Sequence, residues 1–321
     1  AVHHIRAIEK LPAYRITAVC DTDADKRDRW ALELRCRAFA DFAGILAERP
    51  DLVVVALPHW LHSAATIEAL RAGCHVLVEK PMATSVDECN AMLRAAKAAG
   101  RRLFVAETAN FDPGAVLTGE KFRSGTLGRF LTGALINFRH YFAPDRPEWF
   151  VDPGKSGGGM FANVGVHRLA LARTCLAGLE PVRVDAVVSR PQAYPVEACT
   201  SVFVRYRGGG AMLYEEVGYF PKPDWLPTAK HFVFEEGIVS WDAEAWRMQS
   251  AGGQEFLELL RPAEPYVGLY ESLLDAFSGG TGPPPARAFA QDVAIVHAAY
   301  ASAREGTPQD LDDPRWRISD P

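Results

Sequence analysis

The sequence predicts two joined domains: an N-terminal α/β domain with a doubly wound parallel sheet, and an α+β domain with a largely antiparallel open sheet. In the first third of the chain, short apolar runs typical of buried strands alternate with amphipathic helical segments, the pattern of a parallel sheet. After about residue 112 that alternation stops. Strand-like runs then succeed one another from 182 to 241, which favours an antiparallel sheet. We place the domains at 1–112 and 113–321.

The elements of the first domain are predicted from hydrophobic periodicity and from residues that begin or end helices. Strands are predicted at 15–21, 38–39, 51–58, 75–79 and 103–107. Helices are predicted at about 3–10, 24–35, 62–72 and 85–100. Ser85 and Glu88 form a predicted capping box at the start of the last helix.

The second domain shows a different order of elements. A helix at 114–124 and a strand at 130–140 precede a glycine cluster at 157–159, which opens a helix that ends near Gly178. Further strands are predicted at 182–189, 200–206, 211–217, 230–235 and 237–241. Helices at 266–278 and 287–304 come next, and the tail from Gly306 is expected to be irregular.

Composition excludes several functional classes. The formal charge is −5 and the pI is about 6.0, with no basic run, so we expect no affinity for nucleic acid or anionic membranes. No apolar stretch is long enough to span a bilayer. The six cysteines are scattered and the opening residues lack the form of a signal peptide, which predicts a reducing, cytoplasmic location. No shared metal-ligand spacing is found among His3, His4, His75, His231 and His297, so no metal is expected.

The most informative segment is the strand at 75–79 and the residues directly after it. Glu79, Lys80 and Pro81 come where the apolar run ends, so the strand presents an acid and an amine at the sheet edge where ligands bind in open α/β sheets. A solvated strand end is the alternative interpretation. The segment resembles the Glu-Lys-Pro motif of the glucose–fructose oxidoreductase/inositol dehydrogenase/MocA (Gfo/Idh/MocA) family, which comes after the fifth strand of a Rossmann domain.

The resemblance implies a nicotinamide cofactor. Asp21 ends the second strand of such a domain, where a carboxylate accepts hydrogen bonds from the adenosine ribose and repels a 2′-phosphate, so NAD is favoured over NADP. The alternative is that Asp21 caps the next helix, although Thr22 and Asp23 offer other caps.

Other residues of this domain also match cofactor-binding positions of the family. Leu57, Pro58 and His62 lie in the segment that borders the cofactor in relatives, although Leu57 departs from the usual Thr. Bonding to the backbone at a helix start is the alternative for His62. Glu79 and Lys80 are expected beside the cofactor as well.

A Rossmann domain begins with a strand and a G-x-G-x-x-G loop, and neither precedes Ala1. The start of the chain resembles the segment that comes after the last glycine of this loop in relatives. We expect either a clipped sequence or a natural loss, and a sheet without the strand that would flank both 16–20 and 53–57.

The second informative segment runs from Gly157 to His167. Its three glycines allow the backbone to approach a ligand closely, and Asn163 and His167 lie four residues apart on one helix face. The segment resembles the family's Gly-Gly-Gly…Asp…Gly-x-His pattern, which implies that His167 is the catalytic histidine. Asn163 stands where relatives have aspartate, and can orient the ring but adds no charge. Whether this is an active variant or a weakened site stays open.

These residues suit the oxidation of a secondary alcohol. His167 would accept the hydroxyl proton while Lys80 holds and polarises the same oxygen. The leading interpretation is an NAD(P)-dependent oxidoreductase for a sugar, cyclitol or related polyol. Two alternatives remain: an NAD-assisted glycosidase or lyase of the same family, and a non-catalytic sensor of sugar or cofactor.

We also expect a homodimer or homotetramer, because one broad face of the second sheet would otherwise be open. The residues that alternate along its strands, and that are expected on this face, are Val182, Val184, Val202, Val204, Met212 and Tyr214.

Overall fold

The computed structural model describes residues 1–143, 146–190, 194–219, 229–259 and 264–319. Strands of the first half are β1 (Ala18–Cys20), β2 (Arg37–Phe39), β3 (Leu52–Val55), β4 (His75–Glu79) and β5 (Leu103–Ala106). Helices are α1 (Val2–Ile8), α2 (Ala24–Leu34), α3 (Phe42–Ala47), α4 (His62–Arg71) and α5 (Val86–Ala99). All the strands and helices predicted for this half are present, and α3 was not predicted.

The parallel sheet of this half consists of two pieces. β3, β4 and β5 pair in parallel, with β4 in the middle, and β1 pairs in parallel with β2. Within the described residues β1 and β3 do not pair with each other. Glu79, the last residue of β4, lies opposite Ala106 of β5, so Lys80 and Glu107 leave neighbouring strands at one sheet edge.

The second half has more strands than predicted. The helices are α6 (Pro113–Arg123), α7 (Pro153–Ser156), α8 (Val166–Cys175), α9 (Pro265–Phe277) and α10 (Ala286–Glu305), and a π-turn (Phe161–Gly165) precedes α8. The strands are β6 (Phe130–Phe138), β7 (Pro181–Ser189), β8 (Cys199–Tyr206), β9 (Ala211–Val217), β10 (Lys230–Phe234), β11 (Gly237–Trp241), β12 (Ala245–Ser250), β13 (Gly253–Glu258) and β14 (Gln309–Asp310).

These strands form one mixed sheet in the order β13-β12-β11-β10-β6-β9-β8-β7-β14. β6 and β9 pair in parallel and the other neighbours are antiparallel, so the predicted fold class is confirmed. Strands β12 and β13 had not been predicted. The tail is also more regular than expected, because β14 pairs with β7.

The sheet packs one face against helices, and five of the six residues predicted for the open face lie on this covered face. Val184, Val202, Val204, Met212 and Tyr214 are fully buried in the main hydrophobic core together with residues of α8 and α10. Alternation along a strand separates two faces but does not show which one the helices cover.

The open face carries the opposite set of residues, among which Val187, Phe203 and Ile238 are 66%, 37% and 47% exposed.

The last two helices join the two halves. On α9, Leu269 and Leu273 pack in one cluster with Leu77 of β4 and Phe104 of β5. α10 packs against α5, α8 and β7. A hydrogen bond from Lys80, the residue after β4, to Asn163 places the carboxyl end of β4 close to the π-turn of the second half. Among the described residues, no helix has the length and apolar character needed to cross a membrane.

Candidate active site

The structure brings Lys80 and Asn163 together from opposite halves of the protein. Lys80 comes directly after β4 and forms a cis peptide bond with Pro81. Its Nζ donates to the backbone oxygen of Asn163 at 2.8 Å and to the side-chain Oδ1 of Asn163 at 3.1 Å. Burial lowers the pKa of the Lys80 ammonium, while the carboxylates of Glu107 and Glu79 oppose that shift. Two of the three ammonium protons are thus directed at Asn163, and among the described residues no hydrogen-bond acceptor is found for the third.

His167 pairs with a carboxylate that the sequence reasoning missed. Its Nδ1 lies 2.7 Å from Oε1 of Glu107, whose side chain is 1% exposed. Burial raises the pKa of Glu107, but the charge and hydrogen bond of His167, the backbone N–H of Ala109 and the charge of Lys80 together outweigh burial, so that pKa is lowered. The signal was available, since Glu107 ends the predicted strand at 103–107 as Glu79 ends the predicted strand at 75–79.

Asn163 lies within the π-turn, a widened helical turn of a kind often found at functional sites. Its Nδ2 donates to the hydroxyl of Tyr141 at 3.4 Å. Burial raises the pKa of Tyr141 to about 12, so this phenol stays protonated at neutral pH. The guanidinium of Arg146 lies over the Tyr141 ring, 4.5 Å from its centre. Lys80, Asn163, Tyr141 and Arg146 thus form a continuous chain of contacts.

Glu79 points to the helices rather than to Asn163. Its Oε1 accepts hydrogen bonds from His4 Nε2 and from the Tyr266 hydroxyl, both at 2.9 Å, and its Oε2 accepts the backbone N–H of Lys80 at 3.1 Å. Burial raises the pKa of Glu79, but the bond and charge of His4 and the Tyr266 bond bring it down to about 2. The carboxylate fixes the backbone that carries Lys80.

The segment after β3 divides into exposed and buried residues. Leu57 is 39% exposed, and Pro58 precedes a short 3₁₀ turn. His62 is fully buried, and its two ring nitrogens lie 2.9 Å and 2.8 Å from the backbone oxygens of Pro81 and Leu57. This is the backbone-bonding arrangement left open for His62, and it ties this segment to the Glu-Lys-Pro turn. Its place in cofactor binding stays a prediction.

Asp21 comes directly after β1 and has an exposed side chain. The cap of α2 is Asp23, which accepts the backbone N–H of Lys26 at 3.1 Å. One oxygen of Asp21 accepts the backbone N–H of Asp23 at 2.9 Å, and the helix does not need Asp21 as its cap. The carboxylate is therefore accessible to a ligand at the carboxyl end of this strand, as a ribose-binding group requires.

The arrangement can hold and deprotonate a hydroxyl group. Because Glu107 accepts a hydrogen bond from the Nδ1–H group of His167, it favours the tautomer in which Nε2 has a lone pair. The side chain of His167 is 29% exposed. In the part of the chain that the structure describes, no cluster of three or more His, Cys, Asp or Glu is arranged to hold a metal ion.

Comparison with known families matches both halves of the chain. Residues 1–107 match the model of an oxidoreductase family with an NAD-binding Rossmann fold, and residues 116–220 match the GFO/IDH/MocA C-terminal domain. A solved aldose-aldose oxidoreductase from Caulobacter crescentus, complexed with glycerol, superposes with a TM-score of 0.81. It is 25% identical, and the match covers 92% of each chain.

Curated relatives are similar over shorter stretches. The 1-carboxy-3-chloro-3,4-dihydroxycyclohexa-1,5-diene dehydrogenase of Comamonas testosteroni is 30% identical over 64% of this chain and 52% of its own length. The inositol 2-dehydrogenase of Gluconacetobacter diazotrophicus is 35% identical over 40% of each chain. The chain thus spans about half the length of the curated relatives it matches. Because models of both domains match in order along the sequence, this protein belongs to the GFO/IDH/MocA family of oxidoreductases.

Proposed function

We propose that this protein transfers hydride between NAD and a ring carbon that bears a secondary hydroxyl, in a sugar, cyclitol or related polyol. Two neighbouring contacts at one sheet edge carry the proposal. Lys80 is hydrogen-bonded to Asn163, and His167 is hydrogen-bonded to Glu107. An ammonium donor and a neutral imidazole acceptor are the two groups that alcohol oxidation needs.

The described residues fit a dinucleotide at both ends. The exposed Asp21 carboxylate would accept the adenosine ribose hydroxyls, and its charge favours NAD over NADP. Leu57, Pro58 and Lys80 would border the nicotinamide end. Glu79 and His62 would act through the backbone, because their polar atoms are already bonded to neighbouring groups. When bound, NAD accepts the hydride from the carbon.

The chain's own residues would bind the oxygen of the substrate hydroxyl and accept its proton. The remaining ammonium proton of Lys80 would bind the substrate hydroxyl and stabilise the negative charge that develops on it. Nε2 of His167 would take the hydroxyl proton, and Glu107 would stabilise the imidazolium that results. In the reverse direction His167 would return the proton. Asn163 contributes no charge, and Glu107 provides the carboxylate that relatives are expected to have at position 163.

The relatives support a ring substrate, since one is named for a dihydroxycyclohexadiene and another for inositol. A cytoplasmic protein without nucleic acid or membrane partners, assembled as a homodimer or homotetramer, is part of the same proposal. The acidic charge balance and six unpaired cysteines are consistent with it.

The test is NADH formation, monitored by absorbance, with a panel of aldoses, glycosides, inositols and cyclic vicinal diols. We expect substrate-dependent NADH formation that falls about 10²–10⁴-fold in His167→Gln, the usual range for a lost general base. His231→Gln, on the open face of the large sheet, is the matched control. If calorimetry shows NAD binding and no member of the panel yields NADH, the proposal is wrong. Substrate cleavage without net NADH would instead favour the glycosidase or lyase.

A further inference from the structure

Glu197 lies just before β8, buried beneath the glycine cluster, and is 1% exposed. Its Oε2 accepts the backbone N–H of Gly159 at 2.8 Å, and its Oε1 accepts that of Phe161 at 3.0 Å. Its own backbone oxygen accepts the N–H of Met160 at 2.8 Å. One residue therefore binds three consecutive N–H groups at the entry to the π-turn, where helical N–H groups have no partner within the helix.

Tyr300 of α10 completes this anchor. Its hydroxyl donates to Oε1 of Glu197 at 2.8 Å. A Cβ on Gly159 would collide with the backbone oxygen of Glu197, and a Cβ on Gly158, whose φ is +144°, would collide with the Tyr300 hydroxyl. The sequence suggested that the glycines admit a ligand. Two of them are instead required by the approach of Glu197 and Tyr300.

The anchored turn leads directly to the reacting groups. The N–H of Asn163 bonds to the backbone oxygen of Gly159 at 3.1 Å, one turn after the anchor. Asn163 then receives both bonds from Lys80, and His167 lies on the first turn of α8 with Glu107 as its partner. A rotation or shift of the π-turn would move both contacts at once. Misplacement of catalytic groups by about 1 Å can cost about 10²-fold in rate.

We propose that Glu197, with Tyr300, is a positioning residue for the reaction, which sets the orientation of Asn163 and His167 through the π-turn. The inference rests on the proposed function. A carboxylate is needed because both of its oxygens face donors. Glutamine in the same place would turn its amide N–H₂ toward a backbone N–H and lose one of these bonds.

The test compares Glu197→Gln with Glu216→Gln, a buried glutamate whose bond goes to Asn137 on the same sheet. We expect kcat to fall about 10–100-fold in Glu197→Gln, with the Kd for NAD within about twofold, and kcat within about twofold in the control. Tyr300→Phe removes one donor and keeps the carboxylate, so a fall of about 3–10-fold is expected. If Glu197→Gln does not fold, Tyr300→Phe still tests the proposal.

A second readout does not depend on turnover. In ¹⁵N-labelled protein, the imidazole proton of His167 bonded to Glu107 should give a downfield signal, assigned by its loss in His167→Gln. We expect that signal to weaken or move in Glu197→Gln and Tyr300→Phe and to persist in Glu216→Gln. If it persists unchanged in folded Glu197→Gln or Tyr300→Phe, the positioning role is wrong. If the wild type oxidises no polyol, the proposed function is wrong, and the NMR signal still tests whether Glu197 positions His167.

Discussion

Nδ1 of His167 lies 2.7 Å from the carboxylate of Glu107, which comes from the neighbouring domain and is almost fully buried. Because a carboxylate only accepts, Nδ1 is the donor of this pair, which favours the tautomer with a lone pair on Nε2. A histidine fixed in this way resembles the acid–histidine pairs of other enzymes, in which the acid sets the tautomer and stabilises the imidazolium.

Glu107→Gln should therefore lower kcat about 10²–10³-fold, because an amide neither stabilises the imidazolium nor enforces the tautomer. Steady-state kinetics measure the effect, and Glu120→Gln, exposed on α6, is the matched control. A kcat within about threefold of wild type would show that His167 works without this carboxylate.

Lys80→Met should abolish turnover while the Kd for NAD changes less than about tenfold, because Lys80 is proposed to act mainly on the reacting oxygen. Methionine is an unbranched side chain only one atom shorter than lysine, and it removes the three donors. Calorimetry measures the affinity, and Lys97→Met, exposed on α5, controls for the substitution. Retention of kcat within a few-fold would remove Lys80 from the mechanism.

Asp21→Ser should shift the cofactor preference toward NADP, since no carboxylate then opposes the 2′-phosphate. The ratio of kcat/KM for NAD to that for NADP measures the shift. Asp23→Ala is the informative control, because it removes the observed cap of α2, at a cost of about 1 kcal/mol in stability, and should leave the ratio unchanged. A wild-type preference for NADP would contradict the role of Asp21.

Glu216 should make stability depend on pH. Burial raises the pKa of this carboxyl to about 7, against the charges of Arg168 and Arg139 and a bond from Asn137. Since the folded pKa lies above the unfolded value, the neutral carboxyl contributes its full stability below about pH 4.5 and loses it as the pH rises through about 7.

Urea unfolding at pH 5 and pH 8 tests this. The free energy of unfolding of wild type minus that of Glu216→Gln should fall by about 2–3 kcal/mol between the two values. Other titrating groups cancel in the difference. A difference that does not change with pH would mean that the carboxyl titrates normally.

Local patterns in the sequence predicted the elements well, because capping and periodicity depend on neighbours along the chain. Ser85 accepts the N–H of Glu88 as predicted, although the Glu88 carboxylate turns to Thr84. Glu107 was missed because its partner, His167, lies 60 residues away in the other half of the chain. Glu197 was missed for the same reason: its side-chain partners lie 36 and 38 residues away in the glycine segment and 103 residues away at Tyr300.

The face of the large sheet that is open in the monomer should mediate self-association. Phe203 lies opposite Leu213 on that face, and Val187 and Ile238 add further exposed apolar surface. Exposed apolar surface of this kind is common at subunit interfaces.

Light scattering at about 10 µM, a concentration well above the Kd of a stable dimer, should give a mass of two or four chains. Phe203→Glu should shift the mass toward one chain, because it places a charge where the partner would cover it. Leu32→Glu, on α2 and 82% exposed, should not change the mass. A wild-type mass of one chain would contradict self-association, and an unchanged mass in Phe203→Glu would move the interface to another surface.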